Sequence, residues 1–596
     1  MKPAYEFKKF WLVFLLAILI FSLSGCSRSL VKNQSQPQEY PIDTNVQTTL
    51  QRTVVPGTTP STTIHLDEVS KYRQYGYGNW TYGSGLPYDK RLDIMPTTYS
   101  GSAVKKTKLL NFFTISDIHI TDKESPNQLI YLQRLHPTLP VGGSLYSGIM
   151  MYTTHVLDAA VQTVNALHNK DNKANPFDFG LSLGDTCNTT QYNETRWYID
   201  VLDGKVITPS SGAHLGADTI DYQKPYQAAG LDKTIPWYQT LGNHDHFWMG
   251  SIPVDHSLRK DLRQSYITDE VFATGDVLRD LRKINSRDYY MGVLDGSTPY
   301  GDIKYAGPVG NFSSPPKVAA DPNRRSLLRT EWMNEFFNTS SHPVGHGFNM
   351  TDAKNGFASY SFVPKSNIPL KVIVLDNTQK EDDGSINIHG HGFLDQARWA
   401  WLKKELADGT AAGQLMIIAA HVPIGVEVTA PNSQMGWWTD PQNDVTLLDL
   451  IVELQSHPNL LIWMAGHRHL NTVKAFISPD PVNAPEKGFW QVESPSLRDF
   501  PQQFRTFEIY LNSDYTISIM TTNVNPAVKE GTPAATSRKY AIAAMQIGGT
   551  WDLTTKNNPT NDPTVKPMPT GSYNAELVKP LSPAMKAKIR TLYPTP

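Results

Sequence analysis

Leu241-Gly242-Asn243-His244-Asp245 is the stretch on which the reading of this chain turns. It closes a β-prone run over residues 236–241 and sets an amide, an imidazole and a carboxylate where a strand gives way to a loop. Other blocks have the same form. Asp117-Ile118-His119 follows the apolar run 109–115, and Gly184-Asp185 follows 177–183. His421 follows 415–420, and Gly466-His467-Arg468-His469 follows 460–465. Any one of these alone is an ordinary turn or helix cap. Metal-ligating residue types that recur at strand ends, in order from Asp117 to His469, are hard to explain by packing and read as a two-metal site.

Outward from these blocks, residues 152–168 carry helical periodicity through Val156, Ala160, Val164 and Leu167. Residues 372–375 read as a further strand, and 394–406 and 446–455 as helices. The segments 489–492, 504–510 and 515–520 read as consecutive strands. Strands alternating with helices, then strands alone, predict an α/β sandwich built on two sheets. Ligands at the carboxyl ends of strands are where such sheets bind substrates. The stretches 188–234 and 247–357 are too long for plain loops and are expected to be insertions at the rim of the site.

At 596 residues the chain is long for one domain on a prior of roughly 150 residues each, and it can bury a large core. Lys+Arg 54 against Asp+Glu 56 leaves a net charge of -2, which gives no reason to expect nucleic acid as a partner.

The N-terminus reads as a targeting segment. Lys2, Lys8 and Lys9 precede an apolar run over residues 10–21, short for a bilayer span. It ends in Leu23-Ser24-Gly25-Cys26, which resembles the bacterial lipobox. That resemblance implies cleavage before Cys26, lipidation of its thiol and an exported, membrane-anchored lipoprotein. Ser27, in place of Asp, favours the outer membrane if the source has one. An ordinary signal peptide or an uncleaved anchor is the plainer alternative. Cys187 is then left without a disulfide partner and is expected to be a buried filler near the site. Residues from 27 to about 66 are rich in Ser, Thr, Gln and Pro and suggest a flexible tether. Residues 72–88, rich in Tyr and Gly, read as an irregular packed segment or a ligand-stacking loop. The expected divisions are 1–26 signal peptide, 27–105 tether and N-terminal extension, 106–525 catalytic domain, and 526–596 Pro-rich C-terminal extension.

The order Asp-x-His, Gly-Asp, Gly-Asn-His-Asp, His, Gly-His-x-His resembles the calcineurin-like metallophosphoesterases, block by block. The resemblance implies an α/β/β/α sandwich of that type with large rim insertions. It implies that Asp117, His119 and His469 hold one metal, that Asn243, His421 and His467 hold the second, and that Asp185 bridges them. It implies a metal-bridging hydroxide as nucleophile, His244 as general acid and Asp245 as the carboxylate orienting His244. Mixed N and O ligands suit two divalent ions of Mn, Fe or Zn type. Purple acid phosphatases of this superfamily place a Tyr three residues after the bridging Asp. Asn188 stands there, so a coloured Fe(III)–tyrosinate site is not expected.

The expected reaction is hydrolysis of a small organic phosphodiester. Alternatives are a phosphomonoesterase or nucleotidase, a protein phosphatase, and a catalytically silent surface-binding lipoprotein. The insertion's Phe247, Trp248, Tyr289, Tyr290 and Tyr300 are candidates to stack on substrate, and Arg324 and Arg325 to grip a second phosphate or face solvent. His246, His389 and His391 read as loop histidines with a smaller claim on substrate, and Asp376-Asn377 as a turn or a cleft wall.

Overall fold

A computed structural model describes residues 37–135, 145–254, 269–274, 288–381, 390–426, 443–548, 562–565 and 571–595. The chain divides into two compact units, Met1–Gln38 and Glu39–Pro596. The first lies almost wholly outside the described residues, so the expected signal peptide and Cys26 fall outside them as well. Among the described residues no helix is long and apolar enough to cross a membrane.

The larger unit is mixed α/β with two mixed sheets. One sheet runs in the order Asp89–Arg91, Ala575–Lys579, Ile517–Val524, Phe504–Asn512, Lys105–Ile115, Phe179–Ser182, Trp237–Gln239. Its last three strands are parallel. The other runs Tyr360–Phe362, Leu370–Leu375, Leu415–Ala420, Leu460–Ala465, Phe489–Glu493, Val473–Phe476, with the four inner strands parallel.

Period-two alternation splits the second sheet's side chains between two cores. Val372, Val374, Ile417 and Ala419 share an apolar cluster with Leu110, Phe112, Phe507 and Ile509 of the first sheet. Ile373, Leu375, Met416 and Ile418 point the other way, onto Leu402 and Leu406 of helix Gln396–Ala411 and Leu450 and Leu454 of Leu447–Ser456. Each such aliphatic side chain, once fully buried, contributes about 1.5–3 kcal/mol. Strands buried on both faces read as continuous apolar runs, which is why residues 415–420 and 460–465 are legible in sequence.

The ends of the chain differ from expectation. The tether expected to reach about residue 66 stops well before that. Asp43 N–H donates to Ala527 O at 2.7 Å, and Thr49 Oγ1 to Asn523 O at 2.7 Å. Arg52–Pro56 pairs with Trp80–Ser84. The Pro-rich C-terminal extension is not a tail either. It supplies helix Pro533–Gly548, the wholly buried strand Ala575–Lys579 and helix Pro583–Leu592. The physical reason is reciprocal. Val54, Ile64, Leu66, Tyr72 and Tyr77 share one apolar cluster with Ala541, Ile542 and Ala543. Together the two ends close a core. Residues 72–88 belong to that cluster, through helix Tyr72–Tyr75 and strand Trp80–Ser84, and are not a ligand loop.

Candidate metal centre

All the parallel strands that end in a motif deliver it to one place. Asp117 and His119 follow Lys105–Ile115, Asp185 follows Phe179–Ser182, and Asn243 follows Trp237–Gln239. His421 follows Leu415–Ala420, and His467 and His469 follow Leu460–Ala465. All seven are buried.

Their donor atoms form overlapping groups. Asp117, His119 and His469 make one, Asp185, His421 and His467 another, and His119, Asp185 and His244 overlap both, each within 4.8 Å. His119 Nε2 lies 3.1 Å from His469 Nε2 and 3.8 Å from Asp185 Oδ2. His421 Nε2 lies 3.2 Å from Asp185 Oδ2 and 3.0 Å from Asn243 Oδ1. His467 Nδ1 lies 3.1 Å from Asn243 Oδ1 and 3.2 Å from His421 Nε2.

The far side of three ligands, His421, His469 and Asn243, fixes which atom faces inward. His421 Nδ1 donates to Leu183 O at 2.8 Å, so Nε2 is the free atom. His469 Nδ1 donates to Asp499 Oδ2 at 2.5 Å, a carboxylate–histidine pairing that orients a ligand and raises its basicity. Asn243 Nδ2 donates to Gly250 O at 2.9 Å, which turns Oδ1 toward the histidines. Lone pairs on His119 and His469 thus converge, an arrangement that needs a proton or a cation between them. The buried His/Asp groups fit a two-metal site. Asp185, common to two groups, has two oxygens with which to bridge.

Charge follows the same geometry. Burial would strip His469 of its proton, but Asp117 and Asp499 outweigh it and push the imidazole up to about 10. His421 is pushed up to about 9, because Asp185 outweighs burial. His119, pressed by burial and by His244, is held far below the ordinary histidine range. One proton therefore serves the His119–His469 pair when no cation does.

The ligand loops are strained. Asp117 (φ 51°), His119 (φ 48°), Asp185 (φ 53°), His467 (φ 71°) and His469 (φ 58°) all lie in the left-handed region. Each costs about 1–3 kcal/mol and persists only when its surroundings over-determine it. Here the loops brace one another. Asp117 N–H donates to Gly184 O at 3.1 Å, His119 N–H to Asp185 O at 3.0 Å, and Gly466 N–H to His421 O at 2.9 Å. A Cβ on Gly466 would land on Ser116 Oγ and Asp117 Oδ2, and one on Gly242 on the Asp185 backbone and carboxylate.

One expected role is corrected. Asp245 does not touch the His244 ring. Its carboxylate accepts from Asp185 N–H (3.0 Å), Thr186 N–H (2.8 Å), Thr186 Oγ1 (2.7 Å) and Gly242 N–H (2.8 Å). It staples the Asp185 loop. His244 Nδ1 instead donates to the backbone O of Asn188 at 2.7 Å, leaving Nε2 as the working atom. Because a backbone carbonyl has no sequence signature, this partner was invisible beforehand. Asp499, Ser116 and Asn188 are the neighbours that sequence reasoning missed. A carboxylate shortly after a strand end is the one cue Asp499 offered.

The insertion emerges beside the centre, as expected, since Gly250 O holds Asn243. Of its five candidate aromatics, Tyr300 is exposed and Tyr289 is partly buried against the Trp248 cluster, and the other three are packed away. Phe247, Trp248 and Tyr290 are buried, Trp248 in a satellite core with Leu129, Ile252 and Phe272. Arg324 is buried against Asp122 at 3.2 Å, and Arg325 is exposed and stacks on Tyr192. His246 is buried between Glu381 (2.5 Å) and Thr378 (3.0 Å). Asp376 is ion-paired with Arg329 and Arg398, and Cys187 is a buried thiol under His244 O. His389 lies outside the described residues.

No family model and no curated protein matches the chain. Among solved structures it is similar to a dimetal phosphatase from Danio rerio at 13% identity, covering 70% of this chain and 97% of that one, TM-score 0.33. It is similar to PhoD at 10% identity, covering 79% and 80%, TM-score 0.29. The sulfate thiohydrolase SoxB of Thermus thermophilus follows at 10% identity, covering 76% and 62%, TM-score 0.26. In the order of its motifs and in the meeting of their seven side chains at one buried centre, the chain matches the pattern of the calcineurin-like metallophosphoesterases.

Proposed function

We propose that this chain is an exported calcineurin-like metallophosphoesterase that hydrolyses a phosphate ester, with an organic phosphodiester preferred over a monoester. The observation that carries the reading is the overlap of the donor groups at Asp185. Two divalent ions of Mn, Fe or Zn type held there would supply Lewis acidity and an activated nucleophile. Asp117 and Asp185 offset only part of that charge, which leaves the pit attractive to a phosphate anion and to the charge that builds on it. His244, with Nδ1–H committed to Asn188 O, presents a bare Nε2 that takes up a proton from water at the centre and, as the imidazolium, gives it to the leaving oxygen. The α/β/β/α layering belongs to the same proposal and is supported by the cluster that takes residues from both sheets. Export and lipid anchoring at Cys26 rest on the sequence pattern of residues 2–26.

Asp185→Asn keeps size and removes the charge that holds two cations together. Metal analysis of wild type and variant, joined to a panel of bulky diesters and small monoesters, tests the proposal. The expected result is two bound metals and diester turnover in wild type, both lost in the variant. A variant that keeps its metals and its turnover refutes the site, and a wild-type preference for monoesters makes the protein a phosphatase.

A further inference from the structure

Arg498 is 1% exposed, next to the centre, and makes no ion pair with a carboxylate among the described residues. A guanidinium stays charged under almost all conditions, and burying one without a carboxylate is costly. Its fork grips two neutral oxygens instead. Nη1 donates to Asn188 Oδ1 at 3.0 Å and Nη2 to Leu145 O at 2.7 Å.

Asn188 is held on its other sides too. Its Nδ2 donates to Gln128 Oε1 at 3.1 Å, and its N–H to Ile120 O at 2.9 Å. What this fixes is the direction of one carbonyl, the Asn188 O that accepts from His244 Nδ1. The same loop reaches the metal ligands. Ser496 Oγ donates to Asp117 O at 2.6 Å, and Asp499 holds His469. Residues 496–499 thus tie two members of one donor group, Asp117 and His469, to the residue beside them.

We propose that Arg498 is the positioning residue for His244, acting through Asn188; this rests on the phosphoesterase reading above. Gripping substrate phosphate is the rival role: Nη1 and Nη2 are turned to protein oxygens, while the buried Nε–H has no hydrogen-bond partner among the described residues, and the KM arm of the test separates the two roles. With the clamp in place, His244 has a single resting tautomer, Nδ1–H, whose bare Nε2 faces the centre, where it can take up a proton from water and, as the imidazolium, pass it to a leaving oxygen. Without it the Asn188 carbonyl drifts and fewer molecules present Nε2 correctly. A misplacement of about 1 Å costs on the order of 10²-fold in rate.

The test uses the full metal-loaded protein with Arg498→Gln, Arg498→Lys, Asn188→Ala and the Arg498→Gln/Asn188→Ala double variant. Expected are unchanged metal content, KM within about twofold and kcat lowered by roughly 10–100-fold, most for poor leaving groups. Arg498→Lys keeps the charge but not the fork, and should resemble Arg498→Gln. Asn188→Ala should match them, and the double variant should be no worse than the worse single. In the ¹⁵N spectrum the His244 imidazole should pass from one Nδ1–H tautomer to a mixture. Several results would overturn the proposal: metal loss in Arg498→Gln, a raised KM at unchanged kcat, full recovery in Arg498→Lys, or an unchanged tautomer. If wild type hydrolyses no phosphate ester, the functional reading has failed, and the tautomer alone decides the positioning.

Discussion

Asp245→Asn and Asp245→Ala separate two roles that the motif alone cannot. Were Asp245 the partner of His244, either change would lower kcat and leave the fold intact. The structure gives it another task. Six donors, four backbone N–H groups, the Thr186 hydroxyl and the Cys187 thiol, converge on its buried carboxylate. Removing the acceptor strands them, at about 1–3 kcal/mol for each buried group left unsatisfied. Against that stands relief from burying the carboxylate itself, whose pKa burial and the neighbouring Asp185 push up to about 7. A net loss of about 3–5 kcal/mol is expected for Asp245→Ala, the range for breaking one side of a buried charged network. That is a large share of a stability of roughly 5–15 kcal/mol. Asp245→Asn keeps one acceptor oxygen but turns an NH₂ toward N–H donors, and should lose somewhat less. Equilibrium urea denaturation measures the stability, and metal content is read on the same samples, because the stapled loop carries Asp185. Both should fall together. Wild-type stability and metal content with a hundredfold drop in kcat would refute the reasoning and return Asp245 to His244.

Other outcomes follow from the same geometry. His244→Ala should keep its metals while kcat falls by roughly 10²–10⁴, most for substrates with poor leaving groups; metal loss on analysis would make His244 a ligand. Gly466→Ala drives a methyl into Ser116 and Asp117, so the purified variant should fold but bind one metal weakly, and unchanged affinity by calorimetry would contradict the close approach. In the metal-free protein His421 and His469 are raised to about 9 and about 10 and hold protons at neutral pH. A cation must displace those protons, so apparent affinity should climb from neutral pH toward 9 with proton release. Titration calorimetry in buffers of different ionisation enthalpy reads this, and a flat affinity over that range would argue against these nitrogens as ligands.

Much of the centre was legible in the linear chain. Asp117, His119, Asp185, Asn243, His421, His467 and His469 each stand where an apolar run ends, and such runs are visible because parallel strands buried on both faces alternate with nothing polar. The helix Thr153–His168 and the strands Leu415–Ala420 and Leu460–Ala465 came out within a residue or so for the same reason. The Pro-rich end was misread. The helix Pro533–Gly548 draws its burial from residues 54–77, hundreds of positions away, and the strand Ala575–Lys579 is enclosed by pairing with Ile517–Val524 on one side and with the distant Asp89–Arg91 on the other. Composition within a window cannot register that.

The sequence by itself determined which side chains could bind metal and in what order the strands present them, because ligand chemistry and strand periodicity are local properties. Only the tertiary structure decided what those ligands lean on. Asp245 turned from an imidazole partner into a loop staple, and Asn188 entered through its main chain, since a backbone carbonyl is the same in every residue and only its direction in space gives it a role. Arg498 and Asp499 likewise acquired theirs by folding back across more than 300 residues in one case and 30 in the other. Hydrogen bonds act over about 3 Å, and which atoms come that close is settled by the packing of two sheets, not by their order in the chain.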